Sequence, residues 1–425
     1  MKMKIQPRSA FSKNVLTLMT GTTIAQAIPI AISPILTRIY TPEDFGVFAL
    51  FISISSLLAV ASTGRYELAI MIPRKDSDAS NIAILSIMIT VVISLFSLFV
   101  VTVFNYRITS FLENEEISDW LYFIPVTVFL TGIYQSLNYW FNRQKKYRIL
   151  GKNRVIKSAT NSGVNVAIGL SASGSSGLVM GSIIGQFVST GILAKMFWRD
   201  EKQRILNKEA KRVKIIAIAR KYIHFPKINM FHAFLDMAKG FAVNIFLVKF
   251  YDTFALGQFY MVNKILFLPS SLIGTSISQV LFKELAEKYN KKEEFSKIVL
   301  GLMIKLFLFA LIPFLVIVFF SKLFFVFIFG ENWALAGELA AAFSPYVLFH
   351  FVASPLSIVP LVVNKQMKAF NINLIGMGIY TSSLVIGYFV FGTLLDSLHL
   401  LSISMVIYFL FYYFWIYKIS KFINK

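Results

Sequence analysis

Six charged residues stand deep inside long apolar stretches of this sequence: Arg65, Glu67, Asp236, Lys239, Lys264 and Lys305. A charge near the centre of an apolar layer costs roughly 2.5–3.5 kcal/mol on insertion scales, so it usually faces a wet cavity, a partner or an ion path. Four of the six are cations, and a cavity lined by them attracts anions. Lys and Arg make charge-assisted hydrogen bonds to anions, so Arg65, Lys239, Lys264 and Lys305 are the candidate anion contacts. Asp236 and Glu67 are the two acids among the six.

Each has an ordinary alternative. Arg65 and Glu67 lie in "STGRYELAIMIP", about 12 and 9 Å from Pro73 on a helical rise, within snorkelling reach of the run's end for Arg65. Asp236 and Lys239 are three apart on one helical face, where they can simply neutralise each other. Lys305, in "GLMIKLFLF", can also snorkel. Lys264, in "QFYMVNKILFLPSSLIG", has no acid within a turn and is the strongest single candidate. His232 and His350 can relay protons near neutral pH, or can be ordinary hydrogen-bonded residues of a helix bundle.

The elements that must carry these groups follow from composition. Of 425 residues, 56% are hydrophobic and only 15% charged, and the mean hydropathy is +0.68. Long apolar runs recur at 14–37, 45–72, 80–105, 120–141, 155–173, 176–198, 226–249, 254–282, 298–321, 335–362, 369–391 and 397–417. Runs near 20 residues cross a ~30 Å hydrocarbon layer as helices. The spacing predicts an all-α integral membrane protein with twelve transmembrane helices. "MKMKIQPRSAFSK" before the first run resembles a signal peptide, with Ala25-Gln26-Ala27 as a cleavage-like site. The run continues to Leu36, too long for a signal core, so a retained helix is expected. Pro29, Pro34, Pro269, Pro355 and Pro360 interrupt spans and offer bending points.

The net charge of +21 would suggest nucleic acid in a soluble protein. Here most of the 42 Lys and Arg residues fall in seven separate segments on one side of the twelve spans, while the other side holds Arg38, Arg107, Lys249 and Lys322. That is the positive-inside pattern, with both termini cytoplasmic and no nucleic-acid partner. The basic stretch 204–223 in the central segment reads either as an amphipathic surface helix or as a solvated linker. There are no cysteines, hence no disulfide, thiolate metal site or cysteine nucleophile, and no cofactor or metal is expected.

"TRIYTPEDFGVF" at Thr37–Phe48 matches "VKFYDTFALGQF" at Val248–Phe259, as Arg38/Lys249, Tyr40/Tyr251, Gly46/Gly257 and Phe48/Phe259, at one constant offset near half the chain. Each stretch joins the first two spans of a half, on the same face. Two six-helix lobes, 1–205 and 206–425, are thus expected as a parallel pseudo-two-fold repeat.

"GRYELAIMIPRKDSDASNIAILS" at Gly64–Ser86 and "FYMVNKILFLPSSLIGTSISQVLFKELAE" at Phe259–Glu287 resemble the polysaccharide biosynthesis transporters, the Wzx-type oligosaccharide flippases. These share a superfamily with MATE exporters and lipid II flippases. The resemblance implies MATE-like lobes and movement of undecaprenyl-pyrophosphate-linked sugars between leaflets of a bacterial plasma membrane by alternating access. It implies a lipid-linked oligosaccharide and membrane lipids as partners, with a polysaccharide polymerase and chain-length regulator nearby. It further implies a pyrophosphate held by Arg65, Lys239, Lys264 and Lys305, and ion coupling through Asp236 or Glu67. Alternatives of the same fold are a multidrug exporter, where an acidic cavity is expected, and a lipid II flippase. A membrane-embedded polymerase or ligase would need a larger outer loop than 105–119.

Overall fold

A computed structural model describes residues 10–171, 174–206 and 212–421. Among them every regular element is helical. In chain order they are α1 (Ala10–Ile39), α2 (Pro42–Ala61), α3 (Asp76–Leu112), α4 (Ile117–Leu121), α5 (Ile124–Arg143), α6 (Tyr147–Gly169), α7 (Ser176–Leu206) and α8 (Arg212–Lys221). There follow α9 (Met230–Phe250), α10 (Thr253–Leu266), α11 (Leu268–Asn290), α12 (Ser296–Phe329), α13 (Ala334–Leu356), α14 (Val359–Val362), α15 (Gln366–Phe391) and α16 (Leu394–Lys421). The chain forms two compact units, Met1–Lys249 and Phe250–Lys425.

Nine helical segments among the described residues are long and apolar enough to cross a membrane. The expected spans 155–173, 226–249 and 254–282 are also helical, as α6, α9 and the α10–α11 pair. The terminal cations Lys2, Lys4, Arg8 and Lys425, the central Lys208 and Lys211, and part of the "SASGSSG" join lie outside the described residues, as does the side chain of His232.

The repeated stretch starts the same element twice. Thr41 caps α2: its backbone N–H donates to Asp44 Oδ2 at 2.8 Å, and Asp44 N donates back to Thr41 Oγ1 at 3.3 Å. At the equivalent place Asp252 caps α10, accepting from Ala255 N at 2.6 Å. A capping side chain satisfies an otherwise orphaned helix donor. The matched tyrosines tie each start to a later hairpin of its own half. Tyr40 donates to Asn165 O of α6 at 2.6 Å, and its hydroxyl sits where a Cβ at Gly169 or Gly177 would lie. The Tyr251 hydroxyl is 2.7 Å from Ser397 Oγ of α16, and its ring meets Tyr388 of α15 edge-on.

In the first unit α3, α5, α7 and α8 enclose a core of Ile82, Trp140, Phe141 and Phe197, with Trp140 and Phe197 edge-to-face at 5.6 Å. Ile215, Ile218 and Ala219 of α8 pack on this core, so that part of the 204–223 stretch is a docked helix rather than a solvated linker. In the second unit Leu281, Leu285, Val299, Val352 and Ile416 form the corresponding apolar centre. His350 lies among the rings of Phe267, Tyr346 and Phe409. Pro29, Pro34 and Pro355 lie inside continuous helices, whereas Pro269 and Pro360 open new ones, α11 and α14.

Candidate functional site

The expected span 45–72 is not one continuous helix, although α2 alone is long enough to cross a membrane. α2 stops at Ala61, and the chain resumes as a 3-10 turn over Tyr66–Met71. Between them Gly64 and Arg65 both take left-handed backbone, at φ +58° and +61°. Glycine adopts this without cost, but for arginine it costs roughly 1–2 kcal/mol, and such positions persist only where their surroundings fix them.

Here the surroundings do so. Glu67 is 1% exposed; it accepts hydrogen bonds from the Thr63 hydroxyl and, at 3.4 Å, from Arg65 Nη1. The Arg65 side chain is 25% exposed, and its Nε has no acceptor among the described residues. The guanidinium thus spends one donor on Glu67 and keeps others for a further anion. Outside the break, Arg143 at the end of α5 reaches Ile70 O and Asp76 Oδ1, both at 3.0 Å. The Tyr66 hydroxyl donates to Ala219 O of α8 at 2.9 Å. On the other side Gly132 lets α5 approach so closely that a Cβ there would be 2.5 Å from Thr90 and 2.9 Å from Ser62 Oγ.

The expected span 254–282 is interrupted too. α10 ends at Leu266, Phe267 intervenes, and α11 starts with Pro269 in its first turn. Lys264 is half-buried in the last turn of α10, where a cation also complements the helix dipole. The fully buried Gln258 holds α10 in place, donating to Asn332 O at 2.6 Å and accepting from Ala336 N at 2.9 Å.

Of the six charges expected from sequence, Arg65 and Glu67 form an ion pair, and Lys264 marks the second interrupted span. Lys239 is half-buried and Asp236 exposed, one turn apart on α9. Lys305 is exposed on α12 and lines a cleft beside α11. Thr63, Arg143 and Lys157 are additions. Lys157 lies next to the expected start of its span and reads as a loop charge from sequence. In the structure it is inside α6, hydrogen-bonded to Gln186 Oε1 and 5.2 Å from the centre of the Tyr134 ring. The glycine before Arg65 was the visible signal for the left-handed break. Among the described residues no group of acids and histidines is arranged to hold a metal.

Residues 35–337, more than half of the chain, match the family model described as polysaccharide biosynthesis protein. The chain belongs to this family. Its fold is similar to those of solved MOP superfamily transporters. The chain is 13% identical to an inward-facing multidrug resistance MATE family transporter, with a TM-score of 0.67 over 95% of this chain and 94% of that one. A MOP superfamily transporter from Pyrococcus furiosus, described as having a binding pocket of reverse polarity, is 12% identical, with a TM-score of 0.63 over 96% and 95% of the two chains. The lipid II flippase MurJ in an inward closed conformation is 16% identical, with a TM-score of 0.63 over 93% and 87%. A sequence search of curated proteins returned no match.

Proposed function

We propose that this family member is a flippase, not an enzyme, moving undecaprenyl-pyrophosphate-linked oligosaccharide from the cytoplasmic to the outer leaflet of a bacterial plasma membrane. The observation that carries the reading is the left-handed turn that follows α2, which holds Arg65 beside a buried acid. Transporters of two-lobed design build substrate sites from discontinuous helices. A guanidinium with free donors suits a pyrophosphate, and Lys264 at the matching interruption supplies a second cation. Lys239 and Lys305 are further anion contacts. The lobes are 1–205 and 206–425, both termini are cytoplasmic, and a polymerase and chain-length regulator receive the product.

Glu67, paired with Arg65 in the structure, is the first acid available for ion coupling in this reading. Asp236 is the second acid available for such coupling. The predominance of cations distinguishes this reading from export of cationic drugs.

The test is surface polysaccharide export in cells carrying Lys264→Ala or Lys264→Glu, with membrane levels of the protein matched. Accumulation of lipid-linked intermediates and loss of surface glycan are expected, more completely with Glu. Normal export by Lys264→Glu would remove Lys264 from the anion path.

A further inference from the structure

Between α11 and α12 the second unit carries a cleft of about 630 Å³. Both helices pack on α13, and the space between them remains open toward the surface, where Val280 is 70% exposed. Its walls are apolar, with Leu281, Ile298 and Leu302, and its charged groups are Glu284, Lys297 and Lys305. Lys297 and Lys305 are eight residues apart on one helix, about 12 Å along its axis. Gly301 stands midway, and a Cβ there would meet nothing within 4 Å, so the floor is open between the two ammonium groups.

Depth decides what fits. α12 has 34 residues, about 51 Å of helix, so it overhangs a ~30 Å hydrocarbon core by roughly 10 Å at each end when centred. Lys297 then lies at headgroup level, while Lys305 lies just inside the hydrocarbon boundary with its ammonium able to reach back. Two cations against one carboxylate leave a net positive charge above an apolar slot. Basic pockets between transmembrane helices on the positively charged side of a protein are suited to anionic headgroups.

We propose that this cleft binds an anionic glycerophospholipid. Its phosphodiester sits between Lys297 and Lys305, and one acyl chain lies against Leu281 and Leu302. The site lies within one unit and shares Lys305 with the anion contacts proposed for the cargo, so competition by a polyprenyl lipid separates the two readings.

The experiment is native mass spectrometry of the delipidated full-length protein titrated with dioleoyl phosphatidylglycerol or dioleoyl phosphatidylcholine. Preferential retention of phosphatidylglycerol is expected, and Lys297→Ala and Lys305→Ala should each weaken it by about fivefold. Gly301→Leu, which fills the slot, should lower retention without removing charge. Lys297→Arg with Lys305→Arg should retain the lipid, which separates loss of charge from loss of fold. Lys368→Ala, a basic-end control on α15, should behave as the unmodified protein. Equal retention of both lipids, or retention unchanged in all cleft variants, would overturn the proposal. So would displacement of bound phosphatidylglycerol by an equimolar amount of undecaprenyl phosphate, which would assign the cleft to a polyprenyl lipid instead.

Discussion

Arg65 Nη1 lies 3.4 Å from Oε1 of Glu67, two residues on, and the pair closes the left-handed turn that follows α2. Two residues apart, these side chains would diverge on a continuous helix. Left-handed backbone at Arg65 and the 3-10 turn after it bring them together. The ion pair and the broken helix are thus one feature, and removing either half should disturb the other.

Glu67→Gln leaves the guanidinium without its counter-charge in a largely buried setting. A loss of about 1–2 kcal/mol is expected, less than for a fully buried pair because Arg65 retains some solvent access. The melting temperature in detergent should fall, and Arg65→Ala combined with Glu67→Gln should recover part of it without restoring transport. A double variant no more stable than Glu67→Gln alone would show that the two charges are not energetically coupled.

Gly132→Ala should be destabilising although the new side chain is apolar and small. Its Cβ would lie 2.5 Å from Thr90 and 2.9 Å from Ser62 Oγ, forcing α5 away from the break. Overpacking of this kind costs about 1–3 kcal/mol. Adding Thr90→Ala should return much of the loss in a thermal melt; an unrelieved double variant would place the strain elsewhere.

Tyr40→Phe and Tyr251→Phe should each cost about 1 kcal/mol, since each removes a hydroxyl tying a helix start to a hairpin. The two share no partner, so their effects on melting temperature should add. Burial, reinforced by Asp44, pushes the Tyr40 phenol up from 10.0 to about 12. The unfolded chain therefore loses this proton first. The stability contribution is complete below pH 10 and declines as pH rises toward 12. Alkaline unfolding of Tyr40→Phe should lack this component, and an identical pH profile would contradict it.

The repeat was legible because it is local chemistry. Arg38/Lys249, Tyr40/Tyr251, Gly46/Gly257 and Phe48/Phe259 match within one short stretch, and the structure adds the caps Thr41 and Asp252 at equivalent positions beside the tyrosines. The intramembrane charges were equally visible, since cost in lipid singles them out whatever their partners. The left-handed turn at Arg65 was less so: Gly64 hints at it, but the contacts around it, Arg143 to Ile70 O and Tyr66 to Ala219 O, join residues distant in sequence. Lys157 was hidden by hydropathy: α6 begins at Tyr147, well before the apolar run that marks its span, so an interior cation reads as a loop residue. α7 shows the same effect at its other end, continuing to Leu206 after charged residues close the apolar run. Helical hydrogen bonding continues into water where hydrophobicity stops.

The central claim is that Arg65 in the broken span handles the pyrophosphate of a lipid-linked glycan. It is tested most directly by flipping of a polyprenyl-pyrophosphate oligosaccharide in proteoliposomes, read as the fraction protected from a membrane-impermeant glycosidase. The unmodified protein should equilibrate the lipid across both leaflets. Arg65→Ala should slow this at least about tenfold, the loss of roughly one charge-assisted hydrogen bond, and Arg65→Lys should restore part of the rate. Flipping by Arg65→Ala at the unmodified rate, with both proteins inserted equally, would contradict the account.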